Sequence, residues 1–291
     1  MKNILKKIFY PVFFTFVDKH SYFSFDKSPN LFKLFFYSTR FRLASNGIYL
    51  TKNEKWLASL KNKYKGERCF IIGNGPSLNK MDLTKLKNEY TFGVNAIYLN
   101  YEKMQFHPTF YVVEDYLVAE DRASEINKYK GPKLKFFGSY LDYVLTKDEN
   151  TITTNVLLNY DEPFTPFFTT NLVRSLGVGG SVTFMCLQLA YFLGFEKVYM
   201  IGFDHNYAIP KEANLDTSTV IMSESDDVNH FSKDYFGKGY RWHDPKVDRM
   251  EMGFTKARDA FKKDSRNVWN ATVGGHLDVF ERVNYDDLFS K

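Results

Sequence analysis

The most informative stretch of the sequence is Cys69-Phe70-Ile71-Ile72-Gly73-Asn74-Gly75-Pro76-Ser77-Leu78. In it, an apolar strand runs directly into a turn of two glycines, an asparagine and a proline. Gly73 and Gly75 can adopt positive φ and let a ligand approach the backbone, and Pro76 suits a first helical turn. The N–H groups that follow, beginning with Ser77, would face an anion. The turn lacks the third glycine of a dinucleotide fingerprint and the lysine of a P-loop. It therefore predicts a nucleotide site of another kind, and a tight turn without a ligand is the alternative.

Strand and helix patterns alternate after this turn. Strands are expected at 90–94, 109–113, 133–137, 151–158, 197–201 and 267–270, and helices at 53–65, 182–193 and 246–263. This alternation predicts an α/β fold with a single Rossmann-like, mostly parallel sheet and flanking helices. In such sheets ligands bind at the carboxyl ends of the strands.

Composition restricts the class of protein. The 291 residues are 44% hydrophobic and 18% aromatic, which indicates a globular chain with one substantial core. The net charge of +5 comes from scattered lysines, so no nucleic-acid partner is predicted. Cys69 and Cys186 both lie in apolar runs. They are expected to be buried thiols in a reducing compartment rather than a disulfide or zinc ligands.

Residues 1–52 form a basic, aromatic arm before the catalytic region, which is assigned to 53–291. Between Met1 and Arg42 there are eight Lys and Arg residues and two Asp residues, interleaved with phenylalanines. No apolar run there is long enough to span a bilayer. The pattern favours docking on an anionic membrane surface, with simple helical packing on the core as the alternative.

Residues 206–240 interrupt the alternation with Pro210, mixed charges and scattered aromatic rings. A connection of this length inside a compact domain is typical of a lid or a substrate-binding insert. The sequence therefore predicts a lid insert at about 206–240.

Polar residues follow three strands that should be neighbours: Asn74, Asn95 and Asp204. At one edge of the sheet they could line a common crevice, where an asparagine can hydrogen-bond a base or a ribose. Each of them could instead be a helix cap or an Asx turn. Gly180 and Ser181 precede a long apolar helix and make a second candidate anion site, or a plain N-cap.

The catalytic candidate is His243, within Tyr240-Arg241-Trp242-His243-Asp244-Pro245 at the end of the insert. Histidine is a natural general base near neutral pH. Pro245 at a helix start and Asp244 as its cap would fix the ring, whereas a capping or core histidine is the alternative. No spacing typical of metal ligands is present, so no metal is predicted.

Four motifs in this order resemble the bacterial sialyltransferases of glycosyltransferase family 42. That family has a GNGPSL turn, a strand ending in asparagine, an LGY helix end followed by a strand and GID, and a general-base histidine three residues after a tyrosine. The matching segments are Gly73–Leu78, Phe92–Asn95, Leu193–Phe195, Val198–Asp204 and Tyr240–His243. The resemblance covers about residues 68–280.

This resemblance implies a CMP-activated sugar as co-substrate, a variant GT-A-type domain with a lid, and inverting transfer without a metal or other cofactor. It implies that Asn74 and Asn95 contact the donor nucleotide and that Gly202 lines the pocket. His243 would take the proton from the acceptor hydroxyl, and Tyr240 would hydrogen-bond the leaving phosphate or the donor.

One departure from the family concerns the phosphate. The family's tyrosine directly after GID is replaced by His205-Asn206, with Tyr207 one place later. Tyr207 is therefore the candidate for that contact. The implied donor sugar is sialic acid or a related ulosonic acid.

The chain also resembles a broader group with a GxGPSL turn, which includes archaeal 6-hydroxymethylpterin diphosphokinases and bacterial proteins tied to surface glycans. This implies an alternative, magnesium-dependent transfer of diphosphate from ATP, with Glu114, Asp115 and Asp204 as carboxylates. A non-catalytic nucleotide-binding or glycan-binding module is a third hypothesis.

The preferred expectation is a bacterial glycosyltransferase of lipopolysaccharide or capsule biosynthesis. It would be cytoplasmic and peripheral on the inner membrane, with a glycan or glycolipid acceptor. Formation of a homo-oligomer is left open.

Overall fold

The computed structural model describes residues 31–157, 166–208 and 220–290. Strands and helices alternate along these residues, as predicted. The strands are β1 (Arg68–Ile72), β2 (Tyr90–Val94), β3 (Phe110–Val113), β4 (Leu134–Gly138), β5 (Thr151–Thr154), β6 (Val156–Leu157), β7 (Leu176–Gly177), β8 (Lys197–Ile201), β9 (Val220–Met222), β10 (Arg241–His243), β11 (Asn267–Asn270) and β12 (Glu281–Arg282).

The helices flank this sheet. They are α1 (Leu31–Ser45), α2 (Lys52–Ser59), α3 (Tyr101–Met104), α4 (Tyr116–Asp121), α5 (Ala123–Lys128), α6 (Val182–Leu193) and α7 (Val247–Lys263). Short 3₁₀ helices occupy Pro76–Lys80, Leu83–Leu86, Ile97–Asn100, Ser139–Leu141 and Asp286–Phe289.

The main sheet within the described residues has eight strands in the order β12-β11-β8-β1-β2-β3-β4-β5. Every neighbouring pair in it is parallel. Chain order runs outward in one direction from β1 to β5 and in the other from β8 to β12. The carboxyl ends of β1 and β8 therefore form the topological switch point, where such folds bind ligands. The α/β, Rossmann-like prediction is confirmed.

The core fills both faces of the sheet because its strands are buried on both sides, as is usual for parallel sheets. In β1, Cys69 and Ile71 pack in one apolar cluster, while Phe70 and Ile72 pack in the other. Helix α6 is buried along most of its length against the first cluster. Cys69 and Cys186 are buried free thiols, and burial raises the pKa of Cys69.

Helix α6 begins and ends where its sequence predicts. The Ser181 hydroxyl caps the helix by accepting from the Thr183 N–H at 3.2 Å. Gly194 ends the helix in the left-handed region at φ +97°. A side chain at Gly194 would also collide with the backbone of Asn62. Both the backbone conformation and the lack of space therefore require glycine at this position.

Part of the predicted arm lies outside the described residues, since these begin at residue 31. Helix α1 packs on the core through Phe41 and Ala44, which are both 2% exposed. The described part of the arm is therefore helical between Leu31 and Ser45, and membrane docking of the arm stays a prediction. Among the described residues, no helix is long and apolar enough to cross a membrane.

Of the predicted insert, the structure describes residues 206–208 and 220–240, and residues 209–219 lie outside the description. Strand β9 pairs antiparallel with β10, joining Val220 to His243 and Met222 to Arg241. Phe231 and Tyr235 are buried against the main sheet. This part of the insert therefore forms a wall next to the carboxyl ends of the strands, and its movement as a lid stays a prediction.

Three element boundaries differ from the predictions. Helix α2 ends at Ser59 rather than at residue 65, and the strand expected at 151–158 is split at Asn155 into β5 and β6. Helix α7 begins at Val247 after Lys246, which makes no side-chain cap. Asp244 does not cap it because its carboxylate pairs with the Lys246 ammonium instead.

Candidate active site

A cavity of about 680 Å³ lies at the switch point, at the carboxyl ends of β1, β2, β3 and β8. Its wall opposite the sheet comes from the insert, β10 and the first turn of α7. A volume of this size is typical of sites for small molecules and cofactors. The predicted residues in its lining are Gly73, Asn74, Gly75, Asn95, Gly180, Ser181, Gly202, Asp204, Tyr207 and His243. Pro76, Ser77 and Tyr240 are not in the lining.

The glycine-rich turn differs from the prediction in how it uses its glycines. Gly73 and Gly75 do not have positive φ, whereas Gly202 does, at +73°. A Cβ on Gly73 would come within 2.5 Å of the Gly202 carbonyl oxygen, and one on Gly75 within 1.9 Å of the Asp204 carboxylate. These two glycines are thus needed for the close approach of β1 to β8.

The anion at this turn is a carboxylate of the protein itself. Asp204 accepts from the Ser77 N–H at 3.2 Å and from the Ser77 hydroxyl at 2.7 Å. The N–H groups that the sequence assigned to a bound anion are therefore already engaged here. Ser77 and Asp204 join the two central strands, and Pro76 starts the short helix behind them.

Asn74 and Asn95 each present a buried amide oxygen without a partner. Asn74 Nδ2 donates to the Tyr235 hydroxyl at 2.7 Å and to the Val94 carbonyl at 3.3 Å. Its Oδ1 and the Oδ1 of Asn95 have no hydrogen-bond partner among the described residues. Unpaired buried acceptors are costly unless a ligand or water satisfies them, so a ligand that offers N–H or O–H donors fits here.

His243 faces the carboxylate of Asp115 across the cavity, with 3.6 Å between Nε2 and Oδ1. Asp115 follows β3 and caps α4 by accepting from the Leu117 N–H at 2.7 Å. The His243 ring also makes an edge contact with Tyr116, with centroids 5.2 Å apart. Burial raises the pKa of Asp115, although His243 opposes this shift.

Strand β10 is tied to α4 by Arg241, two residues before His243. The Arg241 guanidinium donates to Asp121 Oδ1 at 2.9 Å and to Glu120 Oε2 at 2.8 Å. The Arg241 N–H donates to the other Asp121 oxygen at 2.8 Å. Both ends of α4 therefore meet β10, which explains how His243 reaches Asp115.

Glu114 lies beside Asp115 in the cavity lining. Burial raises the pKa of Glu114 to about 8, and the neighbouring Asp115 charge adds to the shift. The carboxyl is therefore mostly protonated at pH 7 and can donate a hydrogen bond in that form.

A cationic edge lies near the start of α6. Gly180, at φ +79°, and Ser181 share the cavity lining with Lys246 and Arg249. The Arg249 side chain passes 3.5 Å from the position of a Cβ on Gly180. Lys246 is already paired with Asp244, so the helix N-terminus and Arg249 are the groups that favour an anion at this edge.

The two predicted tyrosines occupy different environments. Tyr207 lines the cavity, and burial together with Asp204 raises its pKa to about 12, so it stays a hydrogen-bond donor. The Tyr240 ring lies against the guanidinium of Arg122 at 4.1 Å, outside the cavity lining. This placement gives Tyr240 a role in anchoring the insert, and no contact with a ligand follows from it.

Two further histidines line the cavity, and both meet carboxylates. His205 Nε2 lies 3.1 Å from Glu251 Oε1. His230 Nδ1 lies 2.7 Å from Asp227 Oδ2, and its ring stacks on Tyr235 with centroids 4.1 Å apart.

The carboxylates of the cavity are already committed to other partners. Among the described residues, no three His, Cys, Asp or Glu side chains are grouped as a metal site. Asp204 accepts from Ser77, Asp115 caps α4, and Glu114 is protonated near neutral pH. This donor set does not fit a magnesium ion without rearrangement.

Sequence reasoning did not assign Asp227 or Tyr235 to the site and gave Asp115 a role only in the alternative reaction. Asp115 could have been found because it lies two residues after a buried strand, as Asn74 does. Tyr235 and Asp227 lie in the irregular insert, where no periodic pattern marks a residue that turns inward.

Comparisons with known proteins identify the family of this chain. The family model described as 6-hydroxymethylpterin diphosphokinase MptE-like matches residues 45–210. No curated protein matches the chain. A solved structure of the sialyltransferase CstII from Campylobacter jejuni, in complex with the substrate analogue cytidine-5'-monophosphate, is similar at 17% identity and a TM-score of 0.41. That match covers 75% of this chain and 85% of the sialyltransferase chain.

The family match confirms the resemblance to the diphosphokinase-like group that the GxGPSL turn suggested. It includes β1 and its turn, the ends of β2 and β3, α6, and β8 as far as the loop after it. Because the matched region is more than half of the chain, the protein belongs to the 6-hydroxymethylpterin diphosphokinase MptE-like family.

Proposed function

We propose that this protein is a glycosyltransferase that transfers sialic acid or a related ulosonic acid from its CMP-activated form to a glycan hydroxyl. Membership of a family named after an enzyme supports a transferase in the broad sense. The observation that carries the finer proposal is the pair of His243 and Asp115, which faces the same cavity as Asn74 and Asn95. A base and nucleotide-binding groups are thus available to one bound substrate.

In this reaction His243 accepts the proton of the acceptor hydroxyl as its oxygen attacks the anomeric carbon. The bond from that carbon to the phosphate oxygen breaks, and CMP leaves with the bonding electrons. The carboxylate of Asp115 favours the imidazolium that forms. Transfer from the face opposite the leaving group inverts the anomeric configuration.

The nucleotide would lie against the amides. The unpartnered Oδ1 atoms of Asn74 and Asn95 suit N–H or O–H donors of a base or a ribose. The anionic phosphate would lie near Gly180, Ser181 and Arg249, where a helix N-terminus and a guanidinium favour negative charge. Tyr207, whose hydroxyl now meets Met250 Sδ at 3.8 Å, would donate its phenolic hydrogen to the same region.

Diphosphate transfer from ATP is the second candidate, and the family match favours it. That reaction needs magnesium held by carboxylates. Asp204, Asp115 and Glu114 would first have to leave their present partners or lose a proton, which weighs against it.

Calorimetric titration with CMP, CDP, UDP, ADP and ATP, each with and without Mg²⁺, separates these reactions. We expect binding of CMP that is independent of magnesium and tighter than binding of the other four. A preference for ATP that appears only with Mg²⁺ would overturn the proposal in favour of diphosphate transfer. Failure to bind any of the five would leave a non-catalytic module as the better description.

The acceptor is proposed to be a glycan or a glycolipid at the cytoplasmic face of a membrane. The basic, aromatic residues 1–52 support this, as do the exposed apolar side chains of Phe36, Ile48 and Leu50. Sedimentation with vesicles tests it: we expect binding to vesicles with anionic lipid and little binding to neutral ones. Equal binding of the protein to both kinds of vesicle, or binding to neither, would contradict membrane docking.

A further inference from the structure

His230 is held in the cavity wall by three contacts and has no part in the reaction described above. Its Nδ1 lies 2.7 Å from Asp227 Oδ2, and its ring stacks on Tyr235 with an interplanar angle of 8°. The His230 ring also makes an edge contact with the Phe236 ring, and the centroids of these two rings are 5.1 Å apart. The ring therefore has a single orientation.

The partners of Asp227 fix the tautomer of that ring. The carboxylate also accepts from the N–H groups of Asn229 at 2.7 Å and Phe236 at 2.8 Å. These bonds and the one from His230 lower the pKa of Asp227 although burial opposes them, so it is an ionised acceptor. His230 Nδ1 must then carry a hydrogen, and a proton is gained or lost at Nε2.

His230 Nε2 has no hydrogen-bond partner within residues 31–157, 166–208 and 220–290. The His230 side chain is 16% exposed and lines the cavity. An imidazole with a fixed tautomer and an unoccupied nitrogen in a cavity is arranged to contact a ligand.

Asp227 gives the ring an anionic neighbour. Asp227 is 3% exposed and has no other cationic partner among the described residues. A buried carboxylate stabilises a cation beside it. Tyr235 contributes a neutral phenol to the stacked face. The other titratable groups that line the cavity are Glu114, Asp115, Tyr116, Tyr140, Asp204, His205, Tyr207, His243, Asp244, Lys246 and Arg249.

We propose that His230 is a phosphate-binding residue of this site, which takes up a proton at Nε2 and donates it in a hydrogen bond to the phosphate of the bound nucleotide. The inference rests on the proposed function for the identity of that nucleotide, and it requires the phosphate to reach both His230 and the edge at Gly180, Ser181 and Arg249, which line the same cavity. An imidazolium hydrogen bond to phosphate is charge-assisted, so it binds an anion far better than a neutral group. Nucleotide affinity is then linked to pH through this ring.

His230→Asn is the matched variant, because its amide nitrogen can take the place of Nδ1 against Asp227 while Nε2 is lost. Affinities for CMP and for cytidine are measured by calorimetry between pH 5.5 and 8.5. We expect the variant to bind CMP about tenfold more weakly than wild type at pH 6 and within about twofold at pH 8.5. For cytidine, which lacks the phosphate, the two proteins should agree within about twofold throughout.

His205→Asn is the control for any cavity-lining histidine. Its Nε2 is already occupied by Glu251, and its φ of +52° suits asparagine. We expect the ratio of its CMP affinity to that of wild type to be independent of pH. Comparison of each variant with wild type removes the effect of the phosphate's own titration.

Two outcomes would overturn the inference: a ratio for His230→Asn that does not change with pH, or the same loss for cytidine as for CMP. Should the variant fold poorly, NMR titration of wild-type His230 replaces it. Addition of CMP must then raise the pKa of this ring, and an unchanged titration contradicts the proposal.

Failure of the proposed function gives a different pattern. If only ATP with Mg²⁺ binds, the glycosyltransferase proposal falls, and the same ratios are measured with ADP and adenosine to judge His230 by itself. If no nucleotide binds to wild type, both proposals fall together.

Discussion

The cavity holds two histidine–carboxylate pairs that differ in tightness. His230 and Asp227 are 2.7 Å apart with side chains 16% and 3% exposed, whereas His243 and Asp115 are 3.6 Å apart with side chains 35% and 22% exposed. The carboxylate pKa is lowered in the first pair and raised in the second. The tight pair is closely packed and hydrogen-bonded, while the longer distance in the loose pair leaves room for a substrate group.

This difference indicates that the two histidine rings have separate roles in one site. Asp227 receives two backbone N–H bonds besides His230, so its anion is stable without a ligand. Asp115 also accepts backbone N–H bonds as the cap of α4, but burial outweighs them and raises its pKa. Proton transfer is easier where neither partner is strongly stabilised in one form.

The largest expected effect is on the loose pair. His243→Asn should lower kcat for transfer from a CMP-sugar by about 10²- to 10⁴-fold, because a general base is lost. Its affinity for CMP should stay within about threefold of wild type, since His243 acts on the acceptor. His276→Asn, which changes an exposed histidine outside the cavity lining, is the control. Retention of more than a tenth of kcat would show that His243 is not the base.

The second prediction contrasts the two carboxylates in stability. Asp227→Asn should lower the free energy of unfolding at pH 7 by about 2 kcal/mol, because an amide nitrogen would face a donor and the charge-assisted bonds are lost. A lowered pKa means that Asp227 stabilises the fold above its unfolded pKa and that this contribution disappears as the pH falls through its folded pKa.

Asp115→Asn should lower the free energy of unfolding at pH 7 by less than about 0.5 kcal/mol. Asparagine caps a helix as well as aspartate does, and no charge remains to be desolvated. Urea denaturation of both variants at pH 7 measures the contrast. Equal losses would mean that the two pairs do not differ as their geometry indicates.

Much of the sheet and part of the site follow from the sequence, for identifiable reasons. The apolar runs that form β1, β2 and β8 are long enough to be recognised as strands, and each is followed within three residues by a polar residue. Parallel pairing then brings Asn74, Asn95 and Asp204 to one edge. The features of the site that depend on the order of the strands and on the residues of the turns were therefore predictable from the sequence.

The remainder depends on contacts between distant segments. Strands β9 and β10 have three residues each, too few to show a period of two, and about twenty residues separate them. That Asp204 fills the anion position at the glycine turn depends on the register of β8 against β1. The same holds for Tyr235 reaching Asn74 and Tyr240 turning outward.

A third prediction concerns the carboxyl beside the loose pair. Burial raises the pKa of Glu114 to about 8 from an ordinary value of 4.5, so the folded protein binds this proton more tightly than the unfolded chain. Its contribution is present below the unfolded pKa and is lost as the pH rises through the folded value.

The free energy of unfolding should therefore fall by about 1 kcal/mol between pH 6 and 8 in wild type, which is less than the limiting slope because cavity water screens the charge. Glu114→Gln should remove this fall, since the amide does not ionise. Denaturation curves at several pH values measure it, and equal slopes for the two proteins would mean that Glu114 ionises freely in the fold.

The smallest expected effect concerns the residue that links the tight pair to the amides. Tyr235 stacks on His230 and accepts from Asn74 Nδ2 at 2.7 Å, which leaves the Asn74 oxygen directed at the cavity. Tyr235→Phe keeps the stacked ring and removes the phenolic oxygen alone. Asn74 then retains only its longer bond to Val94, so its amide is less firmly oriented.

We expect Tyr235→Phe to bind CMP about three- to tenfold more weakly, the value of one neutral hydrogen bond, with kcat at saturating donor unchanged. Tyr111→Phe is the control, because that buried hydroxyl donates to the Asn95 backbone oxygen and does not touch either amide oxygen. A similar loss in both variants would assign the effect to general loosening of the sheet edge. A loss confined to Tyr235→Phe, equal at pH 6 and pH 8.5, would separate the orientation of Asn74 from the proton-linked contact of His230.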